Sequence, residues 1–505
     1  MSEQAGTVRM PNPPSVLAPA LPFDMKPRAK EAAADRQLQQ FVGSATRIKD
    51  RGRVNTCREA FGDRYDALRK HAGAIKQHTL DYLDWYLEEF IERARASGAQ
   101  VHFAADAAEA NAICLRIARK NSCTRCVKSK SMVTEETHLL PALQAAGIET
   151  VETDLGEFIL QLDGDAPSHI VTPMIHKNRA SVARAFVREL GAEYTEDPRE
   201  LTMIAREHLR RKYRDADLGI SGANFLVAET GTLVICTNEG NADFCVAAPG
   251  VHIAMVGIEK VIPRLADLSV FLKLLARSAT AQPLTVYTSL ITGPRKQGAG
   301  TEREHDGPEQ VHIILVDNGR VELLRDESRE LLRCIRCGAC LNACPIYRKV
   351  GGGHAYGAVY SGPIGAVLTP LLKGLENYPD LPQASSLCGA CFEACPVHID
   401  IPRHLVRLRA KLVDTKQIEW QDRAIMRLWT KSMQWPGAYR LGSAVLRTLM
   451  RGVAEMQGSA GEKRWLKYAP GPLQGWTDIR DLPSPAAESF RAWWDARRET
   501  GGGDA

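Results

Sequence analysis

From about Arg36 to Ala96 apolar residues recur every three or four positions. In HAGAIKQHTLDYLDWYLEEFIERARASG the residues Ile75, Leu80, Leu83, Tyr86, Leu87 and Phe90 fall on one helical face, and Gly98 marks its end. The rhythm then changes. QVHFA reads as a short strand, DAAEANAICLRIARK as a helix and CTRCVKS as a strand; a helix through His138 to Ala146 and a strand at IETVET follow. Such alternation predicts α/β architecture. After a helical stretch from Arg179 to Arg214, the segments NFLVAETGTLVICTNEGN, DFCVAAP and VHIAMVGI are apolar and β-branched between Gly and Asn turns, which predicts strands. A helix at DLSVFLKLLARSA and strands at TVYTSLIT and VHIILVD complete one large domain ending near Arg325.

Two further changes of pattern follow. Residues 326–410 are cysteine-rich, and their middle, GGGHAYGAVYSGPIGAVLTPLLKG, is glycine-rich and then apolar, as suits backbone packed close to a prosthetic group. Beyond Ile401 the chain reads as helical with much polar surface. Seven of the eight tryptophans lie in it: Trp420, Trp429, Trp435, Trp465, Trp476, Trp493 and Trp494. So many large aromatics without a long apolar helix predict docking on the rest of the protein or on a partner. The first residues read as a Pro-rich tail. The expected division is a tail at 1–35, an α/β domain with N-terminal helices at 36–325, a helical two-cluster domain at 326–410 and a Trp-rich helical segment at 411–505.

Composition narrows the function classes. Sixty-five basic residues interleave with 60 acidic ones for a net charge of +5, which gives no case for a nucleic-acid partner. No apolar stretch approaches the eighteen or so residues of a transmembrane segment. The start shows no charged region followed by an apolar one, so the expected location is cytoplasmic. Thirteen cysteines in such a chain point to metal ahead of disulfides.

Cys334, Cys337, Cys340 and Cys344, followed by Pro345, form a complete C-x2-C-x2-C-x3-C-P run. A second run supplies Cys388, Cys391, Cys395 and Pro396, with Ser385 in the slot of the missing cysteine. Three thiolates at these spacings reach three corners of one iron–sulfur cube, and the fourth ligates the other cluster. The crossed assignment gives cluster one Cys334, Cys337, Cys340 and Cys395, and cluster two Cys344, Cys388 and Cys391. Zinc ribbons also use Cys-x2-Cys pairs, but a full four-cysteine run with Pro after each last cysteine favours iron–sulfur. Cluster one is expected to be [4Fe–4S]. Cluster two is either [3Fe–4S] or a [4Fe–4S] cluster with an open or non-cysteine fourth position, for which Ser385 and Ser386 are candidates unless they serve the loop. Cys123 and Cys126 make a C-x-x-C that could be a redox pair; on a strand, where positions three apart face opposite sides, they read instead as buried small hydrophobes, as do Cys57, Cys114, Cys236 and Cys245.

Two polar stretches of the α/β domain are candidates for ligand binding. VKSKSMVTEET places Lys128, Ser129, Lys130, Ser131, Thr134, Glu135 and Glu136 at a strand-to-helix turn, where α/β folds bind anions. Two lysines there suit a carboxylate or phosphate; a plain helix cap is the alternative. SGANFLVAETGTLVICTNEGN adds Asn224, Glu229, Asn238, Glu239 and Asn241, as pocket lining or as turns. Asp154, Glu157 and His169 are weaker candidates. There is no GxxxxGK[ST], no GxGxxG after a strand and no HExxH, so no motif points to a flavin or nicotinamide, and no catalytic residue is assigned.

The strings VKSKSMVTEE, ETDLGEFILQL, PSHIVTP, GANFLVAETGTLVICTNEGN, GPEQVHIILVDNGR, CIRCGACLNACPIYR, GGGHAYGAVYSGPIGAVLTPLL and LCGACFEACPVHIDIP resemble the lactate-utilisation iron–sulfur proteins, the B subunits of a three-component bacterial L-lactate oxidation system. The resemblance implies an α/β lactate-utilisation domain similar in fold to isomerase and CoA-transferase-like domains, an α-helical ferredoxin domain and a family-specific C-terminal segment. It implies electron transfer during oxidation of L-lactate to pyruvate, with a cysteine-rich-domain subunit and a smaller lactate-utilisation-domain subunit as partners. Members of the family also resemble this chain in having seven such cysteines. Two other roles remain open on the residues: the α/β domain itself binds and oxidises the hydroxy acid, or the chain serves a related dehydrogenase or disulfide-reductase-like complex.

Overall fold

The computed structural model describes residues 19–296, 307–415, 417, 420–458, 464–469, 474–477 and 480–499. The residues up to Leu412 form one compact unit and those from Val413 a second.

The chain joins the fold before the expected end of its N-terminal tail. Phe23 and Met25 are buried, and Phe23 packs against Tyr378 with ring centroids 5.8 Å apart. Residues Lys26–Ala34 form a helix; 1–18 lie outside the described residues. Two apolar side chains suffice to draw in the end of a Pro-rich segment. The helical stretch that follows is three helices, Arg36–Phe61, Tyr65–Asp81 and Leu83–Ala96. Its last break falls at Tyr82, whose backbone leaves the helical region (φ −125°, ψ 38°).

Ten strands follow: β1 (Gln100–Ala104), β2 (Arg125–Lys128), β3 (Glu149–Glu152), β4 (Leu218–Ser221), β5 (Phe225–Val227), β6 (Thr232–Thr237), β7 (Val251–Gly257), β8 (Val261–Ile262), β9 (Tyr287–Ile291) and β10 (Gln310–Val316). Six form a parallel sheet in the order β1-β10-β7-β4-β2-β3. The runs VHIAMVG and VHIILV are continuous because β7 and β10 are central and buried on both faces. One face carries Ile113, Cys114, Leu139, Ile220, Ile253 and Ile314; the other carries Phe90, Leu226, Leu233, Val256, Ile313 and Leu315.

A second sheet, β8-β5-β6-β9, is built around the β5–β6 hairpin. At the hairpin's turn Gly231 has φ +66°, and a Cβ there would lie 2.3 Å from the Ala94 backbone nitrogen. Only glycine lets this turn rest on the helix. DFCVAAP, expected as a strand, lies in the helix Asn241–Ala247. Ala242, Cys245 and Val246 are its buried positions, at helical spacing, and a run this short does not distinguish the two periods. The helix lies against β4 so closely that a Cβ on Gly219 would fall 1.7 Å from the Cys245 carbonyl oxygen.

The cysteine-rich module is a set of short helices, chiefly Ala339–Ala343, Pro345–Lys349, Gly362–Lys373, Ala390–Ala394 and Ile401–Asp414. It is inlaid into the α/β domain by hydrogen bonds to backbone. Arg69 donates to the carbonyls of Cys395 and Phe392, both at 2.7 Å. Tyr347 Oη donates to the Ser168 carbonyl at 2.5 Å, and Asn342 Nδ2 to that of Ala279 at 3.2 Å.

The second unit comprises helices Trp420–Gln434, Pro436–Met456 and Phe490–Glu499 and a strand pair, Trp465–Leu466 with Leu482–Pro483. Its small core is Ala454, Leu466 and Ala469 with Met450, Val453 and Leu482. Trp420, Trp429, Trp435, Trp465, Trp493 and Trp494 are exposed; the side chain of Trp476 lies outside the described residues. Among the described residues no helix is long and apolar enough to cross a membrane.

Candidate iron–sulfur centres and an adjoining cavity

The two cysteine runs retain the same backbone. Arg336 and Gly338, flanking Cys337, have φ +59° and +74°; Leu387 and Gly389, flanking Cys388, have φ +55° and +83°. Each loop enters a five-residue helix, Ala339–Ala343 or Ala390–Ala394, that holds the next cysteine and ends at the last one. The left-handed pairs turn successive side chains toward one centre, and Gly338 supplies the conformation without strain. Leu387 and Arg336 adopt it as non-glycine residues, which costs energy and is typical of ligand-holding loops.

Cys334, Cys337, Cys340 and Cys395 line one small cavity, walled by Ile170, Ile335, Ile364, Val397, Ile399 and Ile401. The backbone N–H groups of Arg336 and Ile399 donate to the sulfurs of Cys334 and Cys395, each at 3.4 Å. Cys344, Cys388 and Cys391 are electrostatic neighbours in a second group, and Tyr347 N–H donates to Cys344 Sγ at 3.4 Å. Burial pushes the free thiol of Cys395 up to about 11 and that of Cys391 up to about 12, so coordination of metal would displace their protons. Four thiols around one apolar cavity, with backbone donors to sulfur, fit an iron–sulfur cluster. Ser385 Oγ accepts from Leu387 N–H at 3.1 Å, and its carbonyl accepts from Arg409 at 2.9 Å, so it forms the turn entering the second loop.

Cys337 also lines a larger cavity, of about 270 Å³, at the carboxyl ends of β2, β4 and β7. Of the polar residues singled out from sequence, Ser129, Lys130, Ser131, Asp154, Asn224, Asn238, Glu239 and Asn241 line it. Several also hold its walls together: Asn224 Oδ1 accepts from Cys236 N–H at 2.8 Å, and Asn238 Nδ2 donates to Gln282 at 2.9 Å. Glu239 and Asp154 accept from the first turn of the helix Leu155–Asp163, and burial beside Asp154 pushes the Glu239 carboxyl up to about 6.

Seven of the expected residues do not line it: Lys128, Thr134, Glu135, Glu136, Glu157, His169 and Glu229. Lys128 is fully buried and donates to Glu152 at 2.7 Å and Glu135 at 3.1 Å, so Glu135 belongs to that ion cluster and does not line the cavity. Glu229 caps the helix Leu265–Thr280 by accepting from Leu265 N–H at 2.8 Å. Lys128, the last residue of β2, is buried in the ion cluster, while Lys130, two residues on and past the strand end, lines the cavity. Glu157 is buried against Glu152, and His169 meets Asn342 at 3.2 Å. Cys123, Cys126, Cys57, Cys114 and Cys245 are buried, whereas Cys236 is partly exposed on the cavity wall.

Glu259, Lys260, Arg336 and Tyr360 also line it and were not anticipated. Their signals were a charged pair after the mostly apolar β7 and an arginine inside CIRC. Glu259, Arg336 and Tyr360 belong to a buried network. Arg320, 0% exposed, donates to Glu136 at 2.9 Å and Glu259 at 2.5 Å; Tyr360 Oη donates to Glu136 at 2.6 Å.

Comparison with known proteins matches residues 87–316 to the LUD domain, 330–399 to a 4Fe–4S dicluster domain and 411–499 to the C-terminal domain of lactate utilisation protein B. Lactate utilization protein B of Oceanobacillus iheyensis is 43% identical over 91% of this chain and 93% of its own length. That of Shouchella clausii is 42% identical over 94% and 98%. A crystal structure of a DUF162 family protein from Deinococcus radiodurans aligns with 46% of this chain and 98% of its own, at 13% identity and a TM-score of 0.27. The extent and identity of the first two matches, together with the ordered succession of three domains, place this chain in the lactate utilization protein B family.

Proposed function

We propose that this chain is the iron–sulfur electron-transfer subunit in the oxidation of L-lactate to pyruvate. One observation carries the reading: cysteines from both runs line a single cavity beside a second thiol group, in a chain whose relatives are named for lactate utilisation. Iron–sulfur clusters bound there supply one-electron acceptance and release. The chain's own part is to hold them. The four thiols fix the first site, the isoleucine wall keeps water from it, and N–H donors to Cys334 and Cys395 stabilise charge on sulfur. Arg69 fastens the loop that carries Cys395 to the α/β domain. Cys340 of the first site is an electrostatic neighbour of Cys391 of the second, which supports exchange between the two.

In this reading the first site takes [4Fe–4S], and the second, with three thiols, takes [3Fe–4S] or a [4Fe–4S] cluster with one corner open or held by a non-cysteine group. The partners are a cysteine-rich-domain subunit and a smaller lactate-utilisation-domain subunit, and the location is the cytoplasm, where thiols stay reduced. Anaerobic purification of the full chain tests it. About seven or eight irons per chain, and EPR signals that change when L-lactate is added with both partners, are expected. Zinc-loaded, iron-free protein, or clusters that never respond with the partners present, overturns it.

A further inference from the structure

The cavity that shares Cys337 with the first iron–sulfur site has cationic side chains whose hydrogen-bonding capacity is not filled. Lys260 is 8% exposed, lines the cavity, and among the described residues has no hydrogen-bond or ion-pair partner for its ammonium. Arg336 Nη2 donates to Glu259 at 3.2 Å, but its buried Nη1 has no acceptor. Lys130 also lines the cavity, and no acceptor for it stands among the described residues. A buried donor such as Arg336 Nη1 is costly to leave unmet, and Lys260 and the half-buried Lys130 lie with it on the cavity wall. The acids of the lining are otherwise engaged: Glu259 with Arg320 and Arg336, Asp154 and Glu239 with the start of a helix.

Charge and volume limit the occupant. Three cationic and three acidic side chains line the space, so it holds no surplus positive charge; a monoanion at Lys260 and Arg336 would add one negative charge, whereas a phosphate dianion would add two beside Asp154 and Glu239. About 270 Å³ lies below the usual range for drug-sized ligands and excludes a dinucleotide. Ser129 and Asn224 add polar groups beside the cations that suit a hydroxyl or carbonyl.

We propose that this cavity is a binding site for a small monocarboxylate bearing a hydroxyl or carbonyl group, its carboxylate held by Lys260 and Arg336, directly against the cluster ligand Cys337. The proposal deepens the electron-transfer reading, since it places a reactant or product beside the first cluster; it concerns binding alone.

The test is isothermal titration calorimetry on the full, cluster-loaded chain without partners, using L-lactate, pyruvate, acetate and inorganic phosphate as probes. Saturable binding of lactate or pyruvate at one site is expected, tighter than acetate or phosphate. In Lys260→Met it should weaken tenfold or more, the scale of a lost charge-assisted hydrogen bond, and Lys260→Arg should restore most of it. Iron content and visible absorption of each variant are measured on the same samples. Unaltered clusters with no saturable binding, tighter binding of phosphate, or undiminished binding in Lys260→Met overturn the proposal and leave the electron-carrier reading standing. Loss of the electron-carrier reading would appear separately, as absent iron in the unsubstituted chain.

Discussion

Arg336, the residue before Cys337 of the four-thiol site, donates through Nη2 to Glu259 Oε1 at 3.2 Å, and the other oxygen of that carboxylate accepts from Arg320 at 2.5 Å. One buried carboxylate thereby binds the cysteine-rich loop to the α/β domain. Removing it with Glu259→Ala leaves two guanidinium groups buried and short of an acceptor. We expect a loss of about 3–5 kcal/mol, read as a lower melting temperature of the cluster-loaded chain.

The same carboxyl carries a pH signature. Despite burial, Arg320 and Arg336 hold it down at about 2, against 4.5 in an exposed chain. A folded value below the unfolded one contributes stability that is full above about 4.5 and is lost as pH falls toward about 2. Glu259→Gln should therefore be less stable than the unsubstituted chain at pH 6, with the difference shrinking toward pH 3. Far-ultraviolet circular dichroism melts across that range provide the comparison; a difference independent of pH would refute the pairing.

Around Lys128 the sign reverses. Burial and the neighbouring carboxylates outweigh Lys128 and push Glu152 up to about 7, and Glu157 well above its ordinary range. Raised folded values mean stability that is full below about 4.5 and is lost as pH rises through about 7. Glu157→Gln, which keeps that position neutral, should raise the melting temperature at pH 8 and change it little at pH 5. Lys128→Met should do the opposite, costing about 3–5 kcal/mol at pH 8 by stranding the carboxylates. Its effect will be on folding, whereas Lys260→Met should act on binding.

The crossed ligation is checked by two alanine variants. Cys395 shares its cavity with Cys334, Cys337 and Cys340, while Cys344 neighbours Cys388 and Cys391. Cys395→Ala, though it lies in the second run, should abolish the EPR signal of the four-thiol site and remove about four irons. Cys344→Ala should spare that signal and remove the other. Loss of the signals in the uncrossed order would show that each run serves its own cluster.

How far these features could be read in advance follows from their range along the chain. VHIILV and VHIAMVGI read as strands because central parallel strands need continuous apolar residues, and the cysteine spacings are local templates. DFCVAAP misled because so short a run of mostly apolar residues suits either period. Lys128 and Lys130 looked equivalent, since which one faces the interior depends on where β2 ends. Lys260 and Arg336 come from distant segments, and only the packing of the cysteine-rich module on the α/β domain brings them to one cavity.

Ser385 occupies the slot where the template has a cysteine, and its structure suggests what serine does there. Its hydroxyl accepts from Leu387 N–H at 3.1 Å, the local bond by which serine closes a turn, and Leu387 then takes the left-handed conformation (φ +55°) that leads into Cys388. A hydroxyl is also a weaker, harder iron ligand than a thiolate. Ser385→Ala should cost about 0.5–1.5 kcal/mol for one lost hydrogen bond and leave the iron content and EPR spectrum of the three-cysteine site unchanged. Loss of iron or a shifted spectrum in that variant would make Ser385 a ligand. Ser385→Cys supplies the complementary measurement: an unaltered spectrum is expected if the turn holds residue 385 away from the open corner, and conversion to a four-thiolate spectrum would place it there.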